Sequence, residues 1–369
     1  MSAPGRCLYQ RLAIENFRNI SRATFEPVPG FNVISGSNGH GKTSLIEALY
    51  VLSTSHSFRS QKLGELIREG QSSAQLLGET LSFGLERRLR AGISARGRSF
   101  QIDGKRPKTR LDYALSTPVV AFVPADLLLC SGPAQGRRTL LDRIIVYLDP
   151  PGAAARSAYQ QAARARQHTL DKRGPHAPEL DAFEQVMAQF GARFAHARKR
   201  AAEALLSALS PSFSQMAAPE LSAAFRYVPG GSEDAAEFLK ELGARRIKDA
   251  ARGSVSYGPS RDDVELLIAG RSARSHASQG QQRILTIALK IAELSCVRSI
   301  TDSEPILLLD DVSSELDAER TASVFGYLEQ SQSQVFVTTT RPDLFQNVVP
   351  KSHERADFEI ENGQLKRLR

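Results

Sequence analysis

Apolar and polar positions change period several times along the chain, and each change marks an element. Residues 7–17, CLYQRLAIENF, alternate as a half-buried strand does, and 24–27 add a second. Phe31, Val33 and Ile34 form a short extended apolar run, followed by a glycine-rich loop and a helix-forming segment that ends near Leu52. Residues 62–68 suit a short helix, and 74–90 read as two strands around Gly84. Asp103-Gly104, flanked by 99–102 and the residues after Lys105, is a two-residue hairpin signal. Residues 118–130, PVVAFVPADLLLC, read as a buried strand running into a helix.

Beyond residue 132 the period becomes helical, over 137–148, 153–170 and 179–209, the last stopping before Pro211. In that segment Phe183, Met187, Phe190, Phe194, Ala197, Ala201 and Leu205 recur at three- and four-residue steps, a stripe that packs against other helices. Arg193, Arg198, Lys199 and Arg200 fall on the opposite face, where they would meet either water, the simpler reading, or DNA. A strand at 264–269 is expected to return the chain to its first domain. PILLLDD at 305–311 has the unbroken apolar character of a central parallel strand, QVFVTTT at 334–340 is the next, and Asn362-Gly363 closes a hairpin within 358–368. The pattern is α/β. Residues 1–131 and 251–369 form one domain, interrupted by a mostly helical lobe at 132–250.

With 369 residues and 41% apolar content, the chain can bury a sizeable core. Cys7, Cys130 and Cys296 lie far apart, without the spacing of a zinc site or a disulfide framework, which points to a reducing cytoplasm. No apolar run is long enough to span a bilayer and no secretory leader opens the chain, so no membrane partner is expected. The net charge of +8 favours a polyanion such as DNA. The densest basic stretch holds Arg87, Arg88, Arg90, Arg96, Arg98, Lys105 and Arg106, with Lys108 and Arg110 beyond. These are the candidate DNA contacts.

The loop after the Phe31 strand, GSNGHGKTS, matches G-x-x-x-x-G-K-[ST] between a strand and a helix. Its glycines let backbone N–H groups of Gly36, Ser37, Asn38, Gly39, His40 and Gly41 turn toward phosphate oxygens. Lys42 reaches the outer phosphates of ATP and the Thr43 hydroxyl binds Mg²⁺. In the PILLLDD strand, Asp310 would hold Mg²⁺ and Asp311 would polarise the attacking water. Ser278, Gln279, Gly280 and Gln281 open another helix, with Ser278 as its cap. That is a second phosphate-seeking device, far from the first in sequence.

The ordered set GSNGHGKTS, ASQGQQR, ILLLDDVSSELD and VFVTTT, with FVPADLLLCSGPAQGRR and YGPSRDD, resembles the RecF family of SMC-like ABC ATPases, bacterial recombination mediators. The resemblance spans nearly the whole chain. It implies an ABC-type P-loop domain like an SMC head, with an inserted helical lobe. Ser278, Gln279 and Gly280 become a signature motif that reaches ATP held by a second copy, and Asp317 belongs to a loop between the copies. It further implies an ATP-dependent homodimer on duplex DNA and single-strand/double-strand junctions, weak DNA-dependent ATP hydrolysis, and help in loading RecA through RecR with RecO. Asp311 stands where the wider ABC class has glutamate, which implies slow hydrolysis. No histidine follows QVFVTTT, so either a threonine such as Thr339 or Thr340 takes the switch position or nothing does, and Asp126 is a weak stand-in for a missing Q-loop glutamine. The same motifs occur in transporter ATP-binding subunits, which place them closer together, whereas a small-molecule P-loop kinase leaves SQGQQR and SELD without a role.

Overall fold

The computed structural model describes residues 5–60, 62–214, 222–311, 326, 328, 331–345 and 354–369, and statements of absence or number below concern these residues. In chain order the principal elements are β1 (Leu8–Phe17), β2 (Ile20–Phe25), β3 (Phe31–Ser35), α1 (Lys42–Thr54), β4 (Ser73–Ser82), β5 (Leu85–Ser94), β6 (Gly97–Ile102), α2 (Arg110–Leu115) and β7 (Val119–Phe122). Then come α3 (Ala134–Leu148), α4 (Pro150–Arg173), α5 (Glu179–Ser214), β8 (Ala223–Val228), α6 (Ala235–Ala244), α7 (Arg246–Arg252) and β9 (Asp263–Ile268). The chain continues with α8 (Gln279–Thr301), β10 (Ile306–Leu309), β11 (Val335–Thr339), β12 (Arg355–Glu361) and β13 (Gln364–Arg367). Two compact units result: Met1–Leu127 with Val297–Arg369, and Leu128–Cys296.

In the first unit a six-stranded sheet has the order β13-β12-β3-β11-β10-β7. Its strands run parallel except for the antiparallel β12/β13 pair. Every residue of β7 (VVAF) and β10 (ILLL) is buried, as a parallel sheet covered on both faces requires. A five-stranded antiparallel sheet, β2-β1-β4-β5-β6, forms the other layer. Helix α1 packs against strands of both sheets and is buried almost throughout. That position accounts for its apolar surroundings on every side. Its polar atoms have partners there: the Tyr9 hydroxyl lies 2.8 Å from Ser53 Oγ, and the Tyr113 hydroxyl donates to the Leu52 carbonyl at 2.7 Å. Phe25 joins the sheets, its ring edge-to-face with Phe358 at 4.6 Å and with Phe336 at 5.7 Å. Asp103-Gly104 makes the expected turn, but a single bridge, Ile102 to Lys105, follows it instead of a strand. The Thr109–Asp112 capping box then starts α2.

The second unit is built on α4 and α5, which approach so closely at Gly152 that a side chain there would lie 2.4 Å from the Ala197 methyl. Met187, Phe194, Ala197, Ala201 and Leu205 are buried, as their spacing predicts. Helix α5 does not stop before Pro211 but continues to Ser214. Burial of Leu209, Ser212 and Phe213 holds the last turn, where the Ser212 hydroxyl donates to the Ala208 carbonyl at 2.8 Å.

Two further expectations are corrected. The strand after YGPSRDD does not return to the first unit: β9 pairs antiparallel with β8, and Val264, Leu266 and Ile268 bury alongside Ala223 and Phe225. The compact lobe therefore runs from Leu128 to Cys296 and includes most of α8, whereas sequence placed its end at residue 250. Arg198, expected among solvated residues, is buried, with its guanidinium 2.7 Å from Asp142 and 2.8 Å from Asp262. Asp262 also accepts hydrogen bonds from the Tyr227 hydroxyl and the Gly230 amide, each at 2.7 Å. Asp263 takes the Arg137 fork at 2.8 and 3.0 Å. Both aspartates of YGPSRDD are thus ties between α3, α5 and the β8/β9 pair. Arg193 and Arg200 lie 3.2 and 3.7 Å from Asp149, and Lys199 is 2.7 Å from Glu233.

Replacing Arg198 removes the buried cation shared by Asp142 and Asp262, a loss of about 3–5 kcal/mol. Urea unfolding of Arg198→Ala, followed by circular dichroism, is expected to show that decrease, and Arg193→Ala to stay within about 1 kcal/mol of wild type.

Candidate nucleotide-binding site

The phosphate loop, residues 36–41, leaves the end of β3 and turns into α1. Gly41 has φ of +115°, a conformation that favours glycine. A side chain on Gly36 would lie 2.4 Å from the Ile360 carbonyl, so the loop rests directly on β12. The Gly363 amide, in the β12/β13 turn, donates to the His40 carbonyl at 2.9 Å. On the other side Asn19, in the β1/β2 turn, donates to the Gly39 carbonyl at 2.9 Å. Two segments far apart in sequence, the β12/β13 hairpin and the β1/β2 turn, therefore set the loop.

A cavity of about 890 Å³ opens above it, lined by Asn38, Gly39, Gly41, Lys42, Thr43, Ser44 and Asp311, and on its other walls by Arg18, Arg59 and Arg68 among others. Lys42 Nζ donates to the Gly36 carbonyl at 2.6 Å and the Ser37 carbonyl at 3.0 Å. Burial lowers its pKa, while Asp311 and Asp310 act in the opposite sense. The Thr43 hydroxyl donates to Asp310 Oδ1 at 3.0 Å. Asp310 is 2% exposed, and burial raises its pKa against hydrogen bonds from Thr338 and Thr43. A buried carboxylate beside a threonine hydroxyl, with Asp311 on the same cavity, is a set of hard oxygen donors that fits Mg²⁺. The loop amides and Lys42 fit a triphosphate.

Sequence reasoning missed the support beneath the loop. Glu47 on α1 is fully buried and takes the Arg18 fork at 2.7 and 2.8 Å, the Ser57 hydroxyl at 2.5 Å and Arg59 at 3.5 Å. Arg18 and Asn19 occupy a turn between two strands, and the arrangement becomes visible only when that turn meets α1. Of the three threonines that end this strand, Thr338 touches Asp310, donating to Oδ1 at 2.9 Å. Thr339 Oγ1 instead accepts from the Arg341 amide, and Thr340 is exposed. Asp126 caps its own turn, accepting from the Val123 amide at 3.0 Å.

Ser278, Gln279, Gly280 and Gln281 lie in the second unit, at the start of α8. Ser278 and Gln281 form a reciprocal cap, with Ser278 N to Gln281 Oε1 at 2.9 Å and Gln281 N to Ser278 Oγ at 3.2 Å. Ser278 and Gln279 are exposed. Asp317 lies outside the described residues.

The candidate DNA contacts separate into two groups. Arg87 pairs with Asp103 at 2.8 Å, Arg88 with Glu79 at 3.4 Å, Arg90 donates to Gln75 at 3.0 Å, and Arg98 donates to the Ser55 carbonyl at 2.9 Å. Arg96, Lys105 and Arg106 are exposed and make no ion pair among the described residues. Burial raises the thiol pKa of Cys7 and Cys130 and pushes that of Cys296 up to about 12, so the three buried cysteines are not thiolates near neutral pH. Among the described residues no cluster of His, Cys, Asp or Glu could hold a metal by itself, and no helix is long and apolar enough to cross a membrane.

A phosphate loop at the end of a central parallel strand, with the acidic strand β10 one strand removed across β11, defines a P-loop nucleoside triphosphatase domain. Comparison narrows the class. The family model described as RecF/RecN/SMC N terminal domain matches residues 8–354. The DNA replication and repair protein RecF of Anaeromyxobacter sp. (strain Fw109-5) is 38% identical over 368 residues, covering 97% of this chain and 98% of that protein. The structure of the recombination mediator protein RecF-ATP in the RecFOR pathway superposes with a TM-score of 0.86 at 26% identity, over 100% of this chain and 99% of that one. The Smc head domain of Pyrococcus furiosus, bound to the C-terminal domain of ScpA, shares the fold, with a TM-score of 0.57 at 17% identity over 98% and 96% of the two chains. The chain belongs to the RecF family of SMC-like ATPases.

Arg18→Met is expected to leave Glu47 underpaired and destabilise the protein by about 3 kcal/mol. Adding Glu47→Gln should recover more than half of that loss in the double variant, measured by urea unfolding; additive losses would rule out the coupling.

Proposed function

We propose that the protein is an ATP-gated DNA-binding protein of recombinational repair and replication. The observation that carries this reading is one cavity lined by Lys42, Thr43 and Asp311, with Asp310 hydrogen-bonded to Thr43. Names of full-length relatives, DNA replication and repair protein RecF, support the biological setting and set aside a transporter subunit.

In this reading Gly36, Ser37, Asn38, Gly39, His40, Gly41, Lys42, Thr43 and Ser44 hold the phosphates of ATP, and Thr43 and Asp310 hold Mg²⁺. Bound Mg²⁺ supplies charge neutralisation at the transferring phosphoryl group. Lys42 leaves the Gly36 and Ser37 carbonyls to contact phosphate. Asp311 orients the attacking water, and its arm, one methylene shorter than that of glutamate, favours slow turnover. Ser278, Gln279, Gly280 and Gln281, the first two exposed, present a capped helix start to ATP held by a second copy, so nucleotide draws two copies together; Asp317 belongs to the contact between them. DNA, as duplex or single-strand/double-strand junction, lies on the basic surface and stimulates the weak hydrolysis that releases the dimer. RecR with RecO, and RecA loading, complete the setting.

Duplex binding by fluorescence anisotropy across a salt series, with ATP, ADP or no nucleotide, tests the reading. ATP should tighten binding at least tenfold, and Lys42→Ala and Ser278→Arg should lose that gain; binding indifferent to nucleotide overturns the gate. Sedimentation should show dimers only with ATP. In the same titration, Lys105→Ala with Arg106→Ala is expected to reduce the salt slope by about 1–2, since each lost phosphate contact removes about 0.9. Arg87→Ala, whose charge already faces Asp103, should change it by less than about 0.5.

A further inference from the structure

Thr338, the last-but-one residue of β11, is fully buried, and its hydroxyl serves both acids at the end of β10. It donates to Asp310 Oδ1 at 2.9 Å and accepts from the Asp311 backbone amide at 2.9 Å. A threonine hydroxyl has one proton and two lone pairs, so the two bonds use its donor and one acceptor together. The oxygen that Thr338 contacts is also the one that Thr43 contacts, at 3.0 Å. The Asp310 carboxylate is therefore held from α1 and from β11 at a single atom.

Asp311 has φ of +50°, a left-handed conformation that a non-glycine residue keeps only where its surroundings hold it. The bond from its amide to Thr338 is such a restraint. It fixes the backbone from which the Asp311 side chain reaches the cavity. Neither neighbouring threonine can substitute. Thr339 points its oxygen at the Arg341 amide, and Thr340 lies on the exposed side of the strand end.

We propose that Thr338 is a positioning residue for nucleotide hydrolysis, one hydroxyl that sets the metal-holding carboxylate of Asp310 and the backbone of the water-orienting Asp311 together. The proposal rests on the nucleotide-site reading above. It assigns to β11 the task of coupling the two acids, so that a shift of this strand would move both at once.

The test compares two pairs that differ by the hydroxyl alone, wild type with Thr338→Val and Thr338→Ser with Thr338→Ala, so that a fold loss in one pair leaves the other. Affinity for a fluorescent ATP analogue is measured in EDTA and in Mg²⁺, beside steady-state ATPase kinetics and a melting curve. The hydroxyl-less members are expected to keep the EDTA affinity within about twofold and to lose at least fivefold of the gain that Mg²⁺ gives. Their kcat should fall at least tenfold with KM changed less than threefold, and serine should restore both properties. Equal Mg²⁺ gain and kcat within each pair overturns the proposal, as does a lowered melting temperature with kcat intact, which marks a purely structural hydroxyl. Wild type that binds no nucleotide overturns the nucleotide site itself, and this inference with it.

Discussion

Burial of α1 between two sheets is the constraint on which the first unit depends. A helix with an apolar environment on every side can show polar atoms only at its ends or to partners brought by other segments. Its start faces the cavity through Lys42 and Thr43, and its later turns meet hydroxyls from Tyr9 and Tyr113. Glu47, halfway along, is fully buried, and the Arg18 fork together with Arg59 answers its carboxyl group. The helix thus meets polar partners from other segments at its start, middle and end.

The second unit solves a related problem with different means. Its helices are rich in alanine and arginine, and small side chains such as Gly152 and Ala197 allow close approach. Guanidinium groups then fill what space remains. Arg166, fully buried, reaches Glu184 at 2.8 Å and Asp249 at 2.7 Å, just as Arg198 reaches Asp142 and Asp262. Such ion networks add little net stability over an apolar core, but removing one partner leaves a buried charge uncompensated.

How much of this could be read beforehand depended on the range of the interaction. The phosphate loop, the acidic strand and the capped start of α8 are local patterns, and each sits where its spacing placed it. The helical stripe of α5 was equally legible because it repeats every turn. Arg198 was not, since sequence gives the face on which a residue lies but not that two aspartates from elsewhere will meet it there. The same limit hid Asn19, Glu47 and Thr338, whose partners are 20, 29 and 28 positions away. Basic residues on β5 looked like one surface, yet their cross-strand neighbours Glu79 and Gln75 answer Arg88 and Arg90. Alternation predicts which side a residue faces, whereas register decides what it faces.

The β12/β13 hairpin carries a consequence for how the protein is made. Ser35, just before the phosphate loop, bonds to Phe358 across 323 positions of chain, and the loop itself leans on Ile360 and the Gly363 amide. At synthesis rates of roughly 5–20 residues per second, the loop leaves the ribosome well over ten seconds before its support exists. Until then its strand lacks its parallel neighbour β12, and a nascent chain cannot hold ATP in the finished way. A motif made early in this chain is therefore among the latest to become functional, and a chain interrupted anywhere before that hairpin is left with a recognisable phosphate-loop sequence and no platform beneath it.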